Sequence, residues 1–237
     1  MLGGGEQLID DVLELARRSL EHIDLGSHRG VHPRLGAIDV VPFVPLGSAT
    51  IEDAEGLRDH AASRLAQELG LPCFLYGPDV DDVGRTLPEI RRRAFDDLGP
   101  DVGPAIPRHH AGAVAVGARL PLVAWNVWIE GLDLATTRAI AASARSKGVR
   151  TLGLQVGDAT QVSCNLIDPV DETPAMVIDR CRPAIERAGG TIARTELVGL
   201  APLACLEAVG PDRLEETDLS EERTIEAACA RLGVAIV

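Results

Sequence analysis

Residues 27–46 read SHRGVHPRLGAIDVVPFVPL, a glycine-, histidine- and arginine-bearing loop that runs straight into a largely apolar stretch. The apolar part, 38–46, is short and broken by Pro42 and Pro45. Proline cannot donate to a strand ladder, so it predicts a strand near a sheet edge. Upstream, Leu8, Val12, Ala16, Leu20 and Ile23 recur at helical period and predict an amphipathic helix over 7–23. Downstream, Thr50 and Asp53 are spaced as a capping box, and Ala54, Leu57, Ala61, Leu65 and Leu69 mark the buried face of a helix that Gly70 ends. PCFLYG at 72–77 predicts a second buried strand, and 88–95 a short arginine-rich helix.

Residues 99–107, GPDVGPAIP, carry Gly99, Pro100, Gly103 and Pro104 and predict a domain boundary, with a first lobe over 1–107 and a second over 108–237. In the second lobe, strands are expected at 113–118, 122–129, 151–156, 161–167 and 191–200. Helices are expected at 133–147, 173–188, 202–209 and 221–232, the last capped by Ser220 and stopped by Gly233. The order ββαββαβ predicts an α/β (α+β) class, with a mixed sheet covered by helices. No strand runs into GxGxxG, and no Walker-type phosphate loop is present.

Composition is that of an ordinary globular chain, 46% apolar and 25% charged, with a net charge of −13. No basic block is interleaved with aromatics, so no nucleic-acid partner is expected. No apolar run reaches bilayer length and no leader pattern opens the chain, so a cytoplasmic protein without membrane association is expected. Cys73, Cys164, Cys181, Cys205 and Cys229 stand singly and read as reduced, mostly buried thiols. Against so acidic a background, local clusters of Arg and His are informative about anionic ligands.

His28 and His32 are four apart, but Gly30 and Pro33 argue against a helix and no third ligand is evident, so no metal is expected. In His32-Pro33-Arg34 the proline fixes the backbone just after the imidazole, and Arg29 and Arg34 offer charges suited to carboxylates. A solvated surface loop accounts for the same residues equally well. Arg108, His109 and His110 form a second cluster after the linker, for which a solvated linker is the simpler account. His22 and His60 fall on polar helix positions.

Residues 27–46 closely resemble the hallmark segment of the glutamate formimidoyltransferases, the folate-dependent formiminotransferases found alone or fused to a cyclodeaminase. Further resemblances are RTLPEIRR (85–92), PDVGPAI (100–106), GAVAVGAR (112–119), LVAWN (122–126), QVSCNLID (161–168) and ELVGLAPLACL (196–206). The resemblance implies two ferredoxin-like-type subdomains with substrates in a groove between them. It implies transfer of a formimino group from N-formimino-L-glutamate to N5 of tetrahydrofolate, a step of histidine degradation and one-carbon metabolism, by a metal-free homodimer. The family's catalytic histidine falls on His32. Its folate-binding stretch falls on Gly103, Pro104, Ala105, Ile106, Pro107, Arg108, His109, His110, Ala111 and Gly112, where Arg108, His109 and His110 depart from the residues of relatives. Arg29, Arg34, Gln161 and Asn165 are further substrate-binding candidates, with strand hydrogen bonding as the plainer role for the last two. The family pattern places a strand, a helix and a strand ahead of the helix at 7–23. The first subdomain is therefore expected to be incomplete, with an unpaired sheet edge, through a start site assigned late or a shortened protein. Two function classes follow: an active transferase, or a non-catalytic or partner-dependent folate-binding homologue.

Overall fold

The computed structural model describes residues 1, 3–30, 32, 34–78, 80 and 84–234. The chain divides into two compact units, Met1–Leu120 and Pro121–Val237.

The first unit contains α1 (Gly5–His22), β1 (Asp39–Phe43), α2 (Ile51–Leu69), β2 (Cys73–Tyr76), α3 (Leu87–Arg93) and β3 (Val114–Ala118). Its sheet has the order β1-β3-β2 with both pairings parallel. The central strand, VAVGA, is apolar throughout and buried at every position, as a parallel strand covered on both faces must be. Val114 and Val116 pack with Ile9, Val12, Leu13 and Leu65 from α1 and α2, while Ala113 and Ala115 pack with Phe74, Tyr76 and Ile90 on the other side. A Cβ on Gly117 would lie 2.1 Å from the Tyr76 ring, so the glycine lets the aromatic ring lie across the strand.

The capping box expected at Thr50 is present, with the Thr50 side chain accepting from Asp53 N–H and the Asp53 carboxylate accepting from Thr50 N–H. Gly70 ends α2 in the left-handed conformation. β1 is an edge strand, as its prolines predicted, and no described strand pairs with its outer side. A cavity of about 650 Å³ opens there, lined by Leu8, Val12, Leu15, Val41, Phe43 and Leu57 among others.

Two expectations for this region are corrected. The sheet is parallel, not mixed, and the described strands of this unit do not form a ferredoxin-like arrangement. The division between units falls after Leu120 and not at 107/108, because the chain leaves the Pro/Gly segment only to re-enter as the central strand of the first sheet. Proline and glycine mark irregular backbone; the limit of a core is set by packing.

The second unit contains β4 (Val123–Glu130), α4 (Leu134–Ser143), β5 (Val149–Val156), β6 (Ala159–Leu166), α5 (Pro174–Arg187), β7 (Thr191–Val198), α6 (Leu203–Val209) and α7 (Ile225–Arg231). Its βαββαβ order and antiparallel sheet, β5-β6-β4-β7, make the ferredoxin-like arrangement. The expected opening pair of strands is a single strand here, because β3 belongs to the first unit. The expected mixed sheet is wholly antiparallel.

Val123, Trp125, Val127 and Ile129 of β4 meet Val162, Cys164 and Leu166 of β6 and Ile178, Cys181 and Ile185 of α5 in one core. The indole N–H of the buried Trp125 donates to the Thr217 carbonyl at 2.7 Å. α4 stops at Ser143, short of the expected 147, because the Arg145 guanidinium and the Ser146 backbone turn back to bond Thr151 and Val149 of β5. The expected helix over 221–232 is split into a 3₁₀ turn, Glu221–Arg223, and α7, which is capped by Thr224 and not Ser220. Thr224 is extended because Ala201 bonds the backbone on both sides of it, accepting from Ile225 N–H and donating to the Arg223 carbonyl.

All five cysteines are buried free thiols, as expected. Burial pushes Cys73 up to about 12 and Cys181 and Cys205 up to about 11, which keeps them protonated and unreactive near neutrality. Among the described residues, no helix is long and apolar enough to cross a membrane.

Candidate active site

The loop between α1 and β1 carries Asp24, Ser27, His28, Arg29, His32 and Arg34. Its far end is fixed by Asp39, the aspartate of the AID triplet at 37–39. One carboxylate oxygen accepts from Leu35 N–H at 2.5 Å and the other from the Arg91 guanidinium at 2.6 Å. The arginine of RTLPEIRR thereby supports the loop of the hallmark segment, a physical reason for the two motifs to occur in one chain. Asp39 itself holds a positive φ of 61°, a conformation aspartate tolerates better than most residues.

The same loop is stitched to the stretch that leads into β3. Leu25 N–H donates to the His110 carbonyl (2.9 Å), Ala37 N–H to the Ala111 carbonyl (2.8 Å) and Ala113 N–H to the Leu35 carbonyl (3.2 Å). Gly36 and Gly112 sit face to face in this ladder. A Cβ on Gly36 would lie 1.9 Å from the Ala113 carbonyl oxygen, so no side chain fits. The loop bearing His32 and the end of the expected folate stretch are thus brought together within the first unit, although their sequences lie far apart.

Residues 103–110 are exposed throughout, an open ribbon with Ile106 73% exposed. Gly103 packs its backbone against the Leu71 carbonyl with φ +93°, and Arg108 donates to the Leu69 carbonyl at the end of α2. The ribbon is therefore anchored at both ends and presented to solvent along its length.

His32 is exposed. The expected action of Pro33 on the backbone after it lies outside the described residues. Arg34 donates to the His28 carbonyl at 2.7 Å and Arg29 to the same oxygen at 3.2 Å. A guanidinium has five N–H donors, so this anchoring leaves capacity for a carboxylate.

A histidine–aspartate contact joins the two segments. His110 Nδ1 lies 2.5 Å from Asp24 Oδ1, which also accepts from Gly26 N–H at 2.7 Å. The Gly26 N–H and the imidazole hold the Asp24 carboxyl below its ordinary value. A carboxylate there orients the ring with its Nδ1–H toward Asp24. The His109 ring stands edge-on to His110 at 3.8 Å between centroids. Asp24 went unnoticed in the sequence because its partner is 86 residues away. Asp39 and Arg91 sat inside recognisable motifs, yet nothing in their spacing signalled contact.

Gln161 and Asn165 lie in the second unit, on β6, and face away from its helices. Gln161 is 7% exposed, and its side-chain oxygen is buried without a hydrogen-bond partner among the described residues. Asn165 is exposed. Asn126, Trp128, Arg194 and Glu196 share that sheet face. Among the described residues no group of three or more His, Cys, Asp or Glu is placed to hold a metal ion.

The family model for the formiminotransferase domain, N-terminal subdomain, matches residues 1–119, which is the first compact unit. The chain belongs to the formiminotransferase family. It is 29% identical to the glutamate formimidoyltransferase of Streptococcus pyogenes, over 95% of this chain and 81% of the relative. It is 30% identical to that of Thermoplasma acidophilum, over 92% of this chain and 78% of the relative. Similarity to the formimidoyltransferase-cyclodeaminase of Sus scrofa, 31% over 98% of this chain, spans about half the length of that larger protein.

Proposed function

We propose that the protein transfers the formimino group of N-formimino-L-glutamate to N5 of tetrahydrofolate, with His32 as the proton carrier. One observation carries the reading. The loop that presents His32 is hydrogen-bonded to the Arg108–Gly112 end of the exposed ribbon expected to hold folate, so a base and a place for the amine it serves occur in one unit.

In the reaction, N5 attacks the formimino carbon and a tetrahedral intermediate forms. His32 takes the proton that N5 loses and returns it to the glutamate nitrogen as the carbon–nitrogen bond to that nitrogen breaks. An imidazole accepts a proton in the first half of this cycle and, as the imidazolium so formed, gives it up in the second. Arg29, Arg34 and Arg108 supply positive charge for the carboxylates of the glutamate moieties, in a chain whose overall charge would repel them.

The test is transfer activity with the two substrates, together with folate binding measured separately. His32→Ala is expected to lower kcat by roughly 10²- to 10⁴-fold, the usual contribution of a positioned acid–base group, while folate affinity stays within a few-fold. Equal activity of His32→Ala and the unaltered chain would remove His32 from the mechanism. Folate binding with no turnover in either would favour a binding protein of the same family.

A further inference from the structure

The face of the second sheet that points away from its helices carries a cluster to which the mechanism assigns no role. Trp128 on β4 is directly opposite Gln161 on β6 and Arg194 on β7, and Asn126 is directly opposite Ser163 and Glu196. Glu196 Oε2 accepts from the Trp128 indole N–H at 2.8 Å and from the Asn126 amide at 3.1 Å. Its other oxygen faces the Arg194 guanidinium at 3.4 Å, and that guanidinium lies 4.3 Å from the Trp128 ring centroid. Beside them the buried side-chain oxygen of Gln161 has no hydrogen-bond partner among the described residues.

These features describe a receptor for a planar nitrogen cation. An indole face attracts cations, and a carboxylate with both its position and its ionisation fixed by two donors is a strong acceptor. Burial pushes the Glu196 carboxyl up, but the Trp128 and Asn126 donors and Arg194 outweigh it and hold it below its ordinary value, so it is charged at neutral pH. A buried amide oxygen without a donor is costly and calls for an N–H from elsewhere. Arg194 shows that a flat N–C–N cation fits between indole and carboxylate. Its side chain is 53% exposed, so it can swing aside and meet a ligand's carboxylate instead.

The donor substrate of the proposed reaction carries the same chemistry. Its formimino group is a formamidine, a flat N–C–N unit that is protonated at neutral pH, joined to a glutamate. We propose that Glu196, with the Trp128 ring and the Gln161 side-chain oxygen, binds the formamidinium end of N-formimino-L-glutamate in preference to a neutral formyl group. This inference rests on the formimino-transfer reading, and its test separates the two.

The affinities of the full chain for N-formimino-L-glutamate and for its neutral counterpart, N-formyl-L-glutamate, are compared by calorimetry in the unaltered protein and in Glu196→Gln. The glutamine can still accept from Trp128 and Asn126, so the fold and Tm are expected to be unchanged and only the charge is lost. The unaltered protein is expected to prefer the formimino ligand at least tenfold, and Glu196→Gln to bring that ratio close to one with little change for the formyl ligand. An unchanged ratio, or equal weakening of both ligands, overturns the proposal.

If the unaltered protein discriminates as stated but turns nothing over with tetrahydrofolate, the transferase reading fails and the cation site stands. If neither glutamate ligand binds, formamidinium chloride is titrated against formamide with tryptophan emission as the signal. Trp125 is buried and supplies a constant background. A response of the unaltered chain to formamidinium alone, absent in Glu196→Gln, supports the site, and no such response overturns it.

Discussion

β3 and β4 follow one another in the chain and obey opposite rules. VAVGA is buried at all five positions, whereas VAWNVWIE sends alternate residues to the core and to a polar face. A parallel strand with packing on both sides has no surface on which to carry chemistry. The first unit therefore places its candidate residues in the segments before the strands, His32 ahead of β1 and His109 and His110 ahead of β3. An antiparallel sheet covered by helices on one side keeps its other side for polar residues, and the second unit places Asn126, Trp128, Gln161 and Glu196 there. The placing of candidate groups depends in the first unit on how loops are held, and in the second on strand register.

The largest expected effect tests the holding of the loops. Gly36→Ala would force a methyl group into the Ala113 carbonyl, and is expected to cost at least about 3 kcal/mol in denaturant unfolding and to remove activity. Gly157→Ala, between two strands of the second unit, is the contrasting change. Gly157 has φ +60° but open space around its Cβ direction, so a loss of only about 1 kcal/mol is expected. Equal effects would dissolve the distinction.

An intermediate effect is expected at Asp39. Asp39→Ala removes the acceptor shared by Leu35 N–H and Arg91, at a cost of about 2 kcal/mol, and should accelerate amide hydrogen exchange at Leu35. Asp39→Asn, which keeps an acceptor and tolerates the positive φ, should restore much of the protection. Fast exchange at Leu35 in the unaltered chain would show that the loop is not held this way.

The smallest effect concerns the start of α2. Thr50→Ala should cost about 1 kcal/mol in unfolding. The capping bonds hold the Asp53 carboxyl below its ordinary value. Stability linked to a carboxyl lowered on folding is fully present above its unfolded value and is lost as pH falls through the lowered one. The difference between Thr50→Ala and the unaltered chain should therefore shrink in acid, and a pH-independent difference would contradict the cap geometry.

Much of this was legible locally. Thr50, Asp53 and Gly70 bracket α2 where their spacing said, and Pro42 marked an edge strand. The family resemblance assigned roles to His32 and to Gly103–Gly112, and the loop bearing His32 is bonded to the His110–Gly112 end of that stretch. What was not legible depends on distant partners. Thr224 caps α7 because Ala201 fixes its backbone, the Pro/Gly segment is followed by a central strand of the same unit, and Asp24 finds His110 across 86 residues. Glu196 lay in a quoted motif, yet its link to Trp128 is visible only through strand register.

The ladder from Leu25 and Leu35–Ala37 to His110–Ala113 also has a consequence in time. A ribosome delivers the His32 loop some 80 residues before the segment that orders it. Until β3 has emerged and inserted between β1 and β2, the loop lacks its backbone ladder to His110–Ala113, and the closure of so long a segment is entropically costly. On the proposed mechanism, competence for proton transfer is thus a late event in the life of the nascent chain. It coincides with completion of the parallel sheet, so a chain halted before residue 114 would carry the histidine without its setting.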